Sequence, residues 1–287
     1  MKLFATIILI FLSLGFVCAQ DAYQIFNSKG KKVKTIKMLE STSSAEFVLF
    51  GEYHDNPISH WLQFEMMTHL FEEHDTNLVL GFEMFEQDQQ QLMNDYLGGV
   101  ISGKVFKDSC RLWPNYKTDY KPLIDFAKEN SLNVAADNIP RRYASLMFKH
   151  GRDTLHQLSN EEKSWMTPLD FVIDTTLSQY KEVAKMAVHV EGLNGYDLMQ
   201  AQAIKDASMA YFILQNMNDN NVMLHFNGAF HSDFHQGIMW YLLQAKPDAK
   251  IVTISTVSQE DISKLEIENI GRADFIICVN NNMTSTH

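Results

Sequence analysis

Six short apolar runs constrain the fold more than anything else in this chain. They occupy residues 47–51, 78–83, 132–136, 222–226, 250–255 and 275–279, and they are rich in Val, Ile, Leu and Phe. Most show no polar alternation, the pattern of strands buried on both faces. Helical patterns fall between them. Asn56-Pro57 supplies a cap followed by an N1 proline. Ile58, Trp61, Leu62, Met66 and Leu70 then form an apolar stripe. A second helix is predicted over 88–97, stopped by Gly98-Gly99, and a third over 120–129. Asp197 is predicted to cap a long helix to about residue 217, and Ser232 with Asp233 to cap one over 234–244. Strands that alternate with helices imply right-handed crossovers and a parallel sheet. The expected fold is α/β, with a mostly parallel central sheet flanked by helices.

Two segments break the rhythm. Residues 23–38 alternate apolar and polar around Asn27-Ser28-Lys29-Gly30 and read as a β-hairpin. Residues from about 140 to 195 carry Met147, Phe148, Trp165, Tyr180 and Val183 but no strand pattern. This stretch is expected to be a helical insertion covering the strand C-terminal edge. The polar tail 280–287 is expected to fray.

Lys2 precedes an apolar run over 3–17, and Val17-Cys18-Ala19 precedes Gln20. This is the anatomy of a secretory signal peptide. The organisation follows: a signal peptide at 1–19, then one α/β domain over 20–287 that includes the insertion. Lipidation at Cys18 is less favoured than cleavage after Ala19, because Val17 is larger than the usual residue before a lipidated cysteine. Beyond residue 19 only Cys110 and Cys278 remain, too few for a disulfide framework, and their spacing leaves pairing open. Net charge is −11 without a Lys/Arg block, which argues against nucleic acid as a partner.

The chemistry concentrates where the apolar runs end. Gly51-Glu52-Tyr53-His54 closes one run and Gly228-Ala229-Phe230-His231 closes another; a third ends in Glu83. In a parallel sheet all strand C-termini share one edge, and ligands bind outside it. Glu52, His54, Glu83 and His231 are therefore expected around one cavity. Glu and His can hold a divalent metal such as Mn, Co or Zn, trade protons near neutral pH, or, for His, ligate haem iron. A lone histidine in a domain is by default a hydrogen-bonded structural residue; four ionisable groups at one edge argue for more. Glu86 and Asp88 read as helix-capping carboxylates. Trp113, Tyr116 and Tyr120 read as loop packing, and Asp206, inside the long helix, as a solvent-facing carboxylate. Arg141-Arg142, just after a predicted strand, could hold a carboxylate or a haem propionate. No GxSxG elbow, P-loop or GxGxxG helix start is present.

In order along the chain, these motifs resemble the ChaN-like haem-binding proteins of the Tiki superfamily. The resemblance rests on Gly51-Glu52-Tyr53-His54-Asp55-Asn56-Pro57 and Glu83-Met84-Phe85-Glu86-Gln87-Asp88-Gln89-Gln90. It continues through Tyr120-Lys121-Pro122-Leu123, Asn138-Ile139-Pro140-Arg141, Ala201-Gln202 with Asp206, Met209 and Ala210, and Gly228-Ala229-Phe230-His231. It implies an exported haem-binding protein of bacterial iron acquisition, periplasmic or outer-membrane-associated. It leaves open a homodimer and association with a membrane. Haem contacts are expected from His54, His231 and Arg141, with Tyr143, His189, His150 and Tyr196 as ligand candidates in or beside the insertion. Relatives in the wider superfamily imply an alternative, a metal-dependent hydrolase of peptidase or esterase type. Glu52, His54 and His231 would then hold the metal and Glu83 would act as general base.

Export predicts a mature chain that begins at Gln20. Mass spectrometry of the protein isolated from its native host should show this N-terminus; an intact Met1 would reject cleavage.

Overall fold

The computed structural model describes residues 21–187 and 194–287. The expected signal peptide and His189 lie outside the described residues. Eight strands form one sheet: β1 Tyr23–Asn27, β2 Lys32–Val33, β3 Phe47–Glu52, β4 Leu78–Glu86, β5 Asn133–Asn138, β6 Val222–Gly228, β7 Ile251–Gln259 and β8 Phe275–Asn280, in the order β2-β1-β8-β7-β3-β6-β4-β5. β3 to β8 run parallel, and β1 pairs antiparallel with β8 and β2. All six predicted apolar runs are strands, and several extend a few residues beyond the pattern.

Burial on both faces explains the missing alternation. Val48, Phe50, Leu80, Phe82, Leu224 and Phe226 face one layer, against helices α1 Thr35–Thr42, α2 Pro57–His74, α3 Gln90–Leu97, α4 Gly103–Ser109 and α5 Lys121–Glu129. Phe47, Leu49, Val79 and Met223 face the other. The second layer holds α6 Arg141–His150, α7 Asn160–Lys163, α8 Ser178–Met186, α9 Gly195–Gln215 and α10 Ile238–Ala245, with α9 and α10 packed on these residues. Each side chain of the Val, Leu or Phe class removed from water contributes about 1.5–3 kcal/mol, so this double layer supplies the main drive to fold.

Four local expectations need correction. β2 is only two residues long, because residues 35–42 turn helical and bury Met38 and Thr42. The long helix is capped by Asn194, whose side chain accepts from Tyr196 N, rather than by Asp197. Residues 229–235 form two 3₁₀ turns, with positive φ at Phe234 (57°) and His235 (60°), so the next helix starts only at Ile238. The tail is tied down: Thr286 N donates to Asp55 O at 2.8 Å and Thr286 Oγ1 to Asp119 Oδ2 at 2.7 Å. Among the described residues no helix is long and apolar enough to cross a membrane.

The sheet order reverses around β3. The chain leaves β3 for β4 and β5 on one side, returns through β6 between β3 and β4, and continues to β7 on the other side. Such a switch point opens a crevice at the strand C-termini. Gly51 permits the close packing there: a Cβ would lie 2.8 Å from Ala229 Cα and 2.9 Å from Ile254 O, both backbone atoms that cannot swing away.

Gly51→Ala should therefore lower stability by about 1–3 kcal/mol through overpacking. Gly103→Ala, which would meet only ordinary contacts with Tyr96 from 3.5 Å, should leave it unchanged or slightly raised. Urea denaturation midpoints of the two variants test the contrast.

Candidate functional site

β3 delivers Glu52, fully buried, to the sheet edge. The strand ends there, and the chain turns so that Asn56 N bonds Tyr53 O at 3.0 Å. Asn56 then caps α2 by accepting from Ser59 N at 2.9 Å. The turn folds His54 back onto Glu52, and Nδ1 meets Oε1 at 2.9 Å. The two side chains thus share one space although the strand stops before His54. The glutamate is held from behind as well. Tyr120 OH donates to Oε1 at 2.6 Å and Gln63 Nε2 donates to Oε2. His60 bonds Gln63 through Nδ1 at 2.9 Å and His54 O through Nε2 at 3.1 Å. Asn115 donates to the same His54 carbonyl at 2.6 Å. Burial opposes a charge on His54, but the hydrogen bond to Glu52 and the nearby Glu83 and Glu52 charges prevail and raise its pKa.

Glu83 leaves β4 beside the end of β6 and accepts from Gly228 N at 2.7 Å. Its other oxygen lies 3.1 Å from His231 Nε2. His231 Nδ1 meets Asp206 of α9, and Asp206 accepts from Tyr180 OH of α8 at 2.8 Å. Gln202 Nε2 lies 3.0 Å from the same Nδ1. The imidazole is therefore clamped between two buried carboxylates. Burial pushes its pKa down, but the Glu83 and Asp206 charges outweigh this and push it up to about 10. For Glu83 the order is the same: burial raises the pKa, and the charge and hydrogen bond of His231 carry it well below the usual carboxylate range. Gly228 lets the two halves meet, because a Cβ there would sit 2.8 Å from His54 Cε1 and Nε2 and 3.5 Å from Glu83 Oε2.

Above this polar floor lies a cleft of ≈ 550 Å³. Val183 and Met186 of α8 and Leu198 and Ala201 of α9 make an apolar wall, and Ala229 and Phe230 line it too. Lys205 and Arg272 bring cations, and Tyr53 joins the lining 41% exposed. Arg272 Nη1 donates to Asp233 at 2.6 Å. Among the described residues the Tyr53 hydroxyl has no hydrogen-bond partner and Lys205 no carboxylate partner.

The structure brings Glu52, His54, Glu83 and His231 together, with Glu83 behind the other three. It does not bring Tyr143, which is buried in a separate apolar cluster and donates to Glu162 at 3.0 Å. Tyr196 is half-exposed at the start of α9, and His150 is exposed at the end of α6. Arg141 lines a neighbouring cleft. Asp206 is buried rather than solvent-facing. It lies one helical turn after Gln202, and this i, i+4 spacing on a helix that buries its site-facing side is the signal that could have found the pair. Tyr120, expected as packing, binds Glu52. Trp113, likewise, stands with its ring edge-on to His54, 4.8 Å between centroids. Cys110 and Cys278 are both free thiols.

The donor set does not fit a divalent metal. A ligating histidine must point an unprotonated nitrogen at the ion, whereas His231 has carboxylates on both nitrogens and is held protonated. Among the described residues no three His, Cys, Asp or Glu side chains are grouped to hold a metal. Glu83 is committed to His231 and Gly228 rather than free to serve as a base.

The His231 clamp has a pH signature. Its folded pKa, about 10, lies above the unfolded value of 6.5, so the stability it contributes is complete below pH 6.5 and is lost as pH rises through about 10. Asp206→Asn removes one side of the clamp and should lower stability by about 3–5 kcal/mol at pH 7. It should also flatten the loss between those two pH values, as followed by chemical denaturation across the range.

Comparison with known proteins bears on the fold and the family. The structure superposes on that of ChaN of Campylobacter jejuni, described as showing cofacial heme binding, with a TM-score of 0.66, 16% identity and coverage of 89% of this chain and 96% of that one. An erythromycin esterase mutant, EreC in its open conformation, gives a TM-score of 0.51 at 10% identity, covering 90% and 97%. In sequence, the chain is 24% identical over 214 residues to the RETICULATA-RELATED 5 chloroplastic protein of Arabidopsis thaliana; this covers 69% of the chain but only 29% of that relative's length. The family model for haem-binding uptake, Tiki superfamily, ChaN, matches residues 38–242, and the chain belongs to that family.

Proposed function

We propose that this protein binds haem in the cleft above the Glu52–His54–His231 floor and serves haem or iron acquisition outside the cytoplasm. The observation that carries this reading is the pairing, in one cleft, of an apolar wall with a phenol that has no hydrogen-bond partner among the described residues. Val183, Met186, Leu198 and Ala201 offer a slot for a flat apolar cargo, of a volume usual for ligand sites. Tyr53 supplies an iron ligand of a type known in haem proteins. His54 is less free, with Nδ1 on Glu52 and its ring against Gly228, and His231 has no nitrogen to give. Lys205, which has no carboxylate partner among the described residues, is a cation suited to a propionate. Family membership supports haem as the cargo.

The polar floor has a supporting role in this reading. Glu52 fixes the His54 turn and so the position of Tyr53, while the Glu83–His231–Asp206 clamp holds α9 and its apolar wall against the strand ends. Export rests on the sequence of residues 1–19. It would place the cleft in the periplasm or at the outer membrane.

Titration of the purified chain with haem should give a Soret band distinct from that of free haem and saturating at a fixed ratio. Tyr53→Phe, at an exposed position, should shift that band and weaken binding by about tenfold or more, or about 1.4 kcal/mol. A spectrum of free haem alone throughout the wild-type titration rejects the reading. An unchanged Tyr53→Phe spectrum, with a shift in His54→Ala, transfers the ligand role to His54.

A further inference from the structure

A second cleft opens at the same sheet edge, between the end of β4 and the first turn of α6. It measures ≈ 610 Å³, and its lining includes Glu86, Arg111, Trp113, Pro114, Arg141 and Arg142. Two of its arginines are fixed in place. Arg111 Nε donates to Glu86 Oε2 at 2.9 Å, and its Nη2 pairs with Asp88. Arg142 Nη1 donates to the other Asp88 oxygen at 2.7 Å, and its guanidinium lies over the rings of Tyr143 (4.5 Å) and Trp165 (5.4 Å). Arg141 has no hydrogen bond or ion pair among the described residues. Arg111 and Arg142 are thus engaged by Glu86 and Asp88, and Arg141 is the guanidinium of this cleft that has no carboxylate partner among the described residues.

Apart from Ser145, the rest of the cleft is apolar. Trp113 and Pro114 form its wall, and the Trp113 ring, edge-on to His54, stands between this cleft and the one that holds Tyr53. A bare anion gains little from an exposed arginine, because water screens the pair. A ligand that also covers Trp113 and Pro114 removes apolar surface from water and lowers the local dielectric around the charge pair.

We propose that this cleft is a second ligand site that takes an organic monocarboxylate with a flat apolar body, the carboxylate on the Arg141 fork and the body on Trp113 and Pro114. Of the three arginines only Arg141 is without a carboxylate among the described residues, so one carboxylate completes the set. The site stands independently of the haem reading.

Isothermal titration calorimetry on the full chain tests it with three probes: 1-naphthoate, its neutral counterpart 1-naphthalenemethanol, and inorganic phosphate. Naphthoate should bind one per chain, and Arg141→Ala should weaken it about tenfold or more, the range of a charge-assisted hydrogen bond. Arg141→Lys should recover part of the loss, since an ammonium keeps the charge but not the planar fork. Naphthalenemethanol and phosphate should each bind at least about tenfold more weakly than naphthoate. Equal naphthoate affinity in wild type and Arg141→Ala overturns the site, and phosphate as tight as naphthoate overturns the organic body. Haem titration of Arg141→Ala should match wild type. If haem affinity instead falls with naphthoate affinity and naphthoate displaces haem, the cleft is the propionate end of the haem site and the second site is rejected.

Discussion

The buried clamp of Glu83, His231 and Asp206 is the constraint on which the site depends. It joins three elements that the sheet alone would not hold in register at this edge: the end of β4, the 3₁₀ turn after β6, and the middle of α9. Charges buried this deeply lose their hydration, and only mutual pairing with further hydrogen bonds offsets that loss. Here the pairing is nearly complete. Glu83 also accepts from Gly228 N, and Asp206 also accepts from Tyr180. A helix wall that would otherwise be placed by apolar contacts alone, which tolerate sliding, is fixed by directional bonds. The cleft width depends on it, because α8 and α9 carry the apolar wall.

A second network does the same for the other lip. Glu52, Tyr120, Gln63 and His60 form a closed set of polar contacts beneath the His54 turn, and Asn115 and Asp119 extend it to Thr286 in the tail. The tail therefore takes part in the support of the turn that presents Tyr53. In both networks the ionisable groups satisfy one another. In the proposed haem reading, the residues of strongest chemical character at this edge are largely engaged with each other, and contact with the ligand falls to less conspicuous neighbours such as Tyr53, Lys205 and the apolar side chains of α8 and α9.

This explains which parts were legible in the sequence. Strands buried on both faces must be apolar at nearly every position, so all six apolar runs could be read directly, and their common direction placed Glu52, His54, Glu83 and His231 at one edge. Asp206 escaped because a carboxylate inside a helix is usually solvated, and only its three-dimensional neighbour, His231, makes burial tolerable. Tyr53 carries no such signal: Glu52 and His54 on either side have the stronger chemical character, and its proposed role rests on a hydroxyl without a partner among the described residues. Tyr143 was misplaced because the insertion packs α6 on α9 and turns that phenol inward to Glu162. Helix starts after 231 were misread because two positive-φ residues, Phe234 and His235, carry no distinctive side-chain signal.

The same reasoning separates the two clefts. Where β3, β6 and β7 end, the carboxylates are buried and paired, and the opening is lined by apolar groups together with Tyr53, whose hydroxyl has no partner among the described residues. Where β4 and β5 end, the carboxylates Glu86 and Asp88 are paired with arginines, and Arg141 has no carboxylate partner among the described residues. The division follows from topology: the first cleft sits at the switch point, between the α8–α9 wall and the His54 turn, whereas the second sits where α6 begins after Pro140. Trp113 marks the boundary: it lines the second cleft, and its ring meets edge-on the imidazole of His54, which lines the first, at 4.8 Å between centroids.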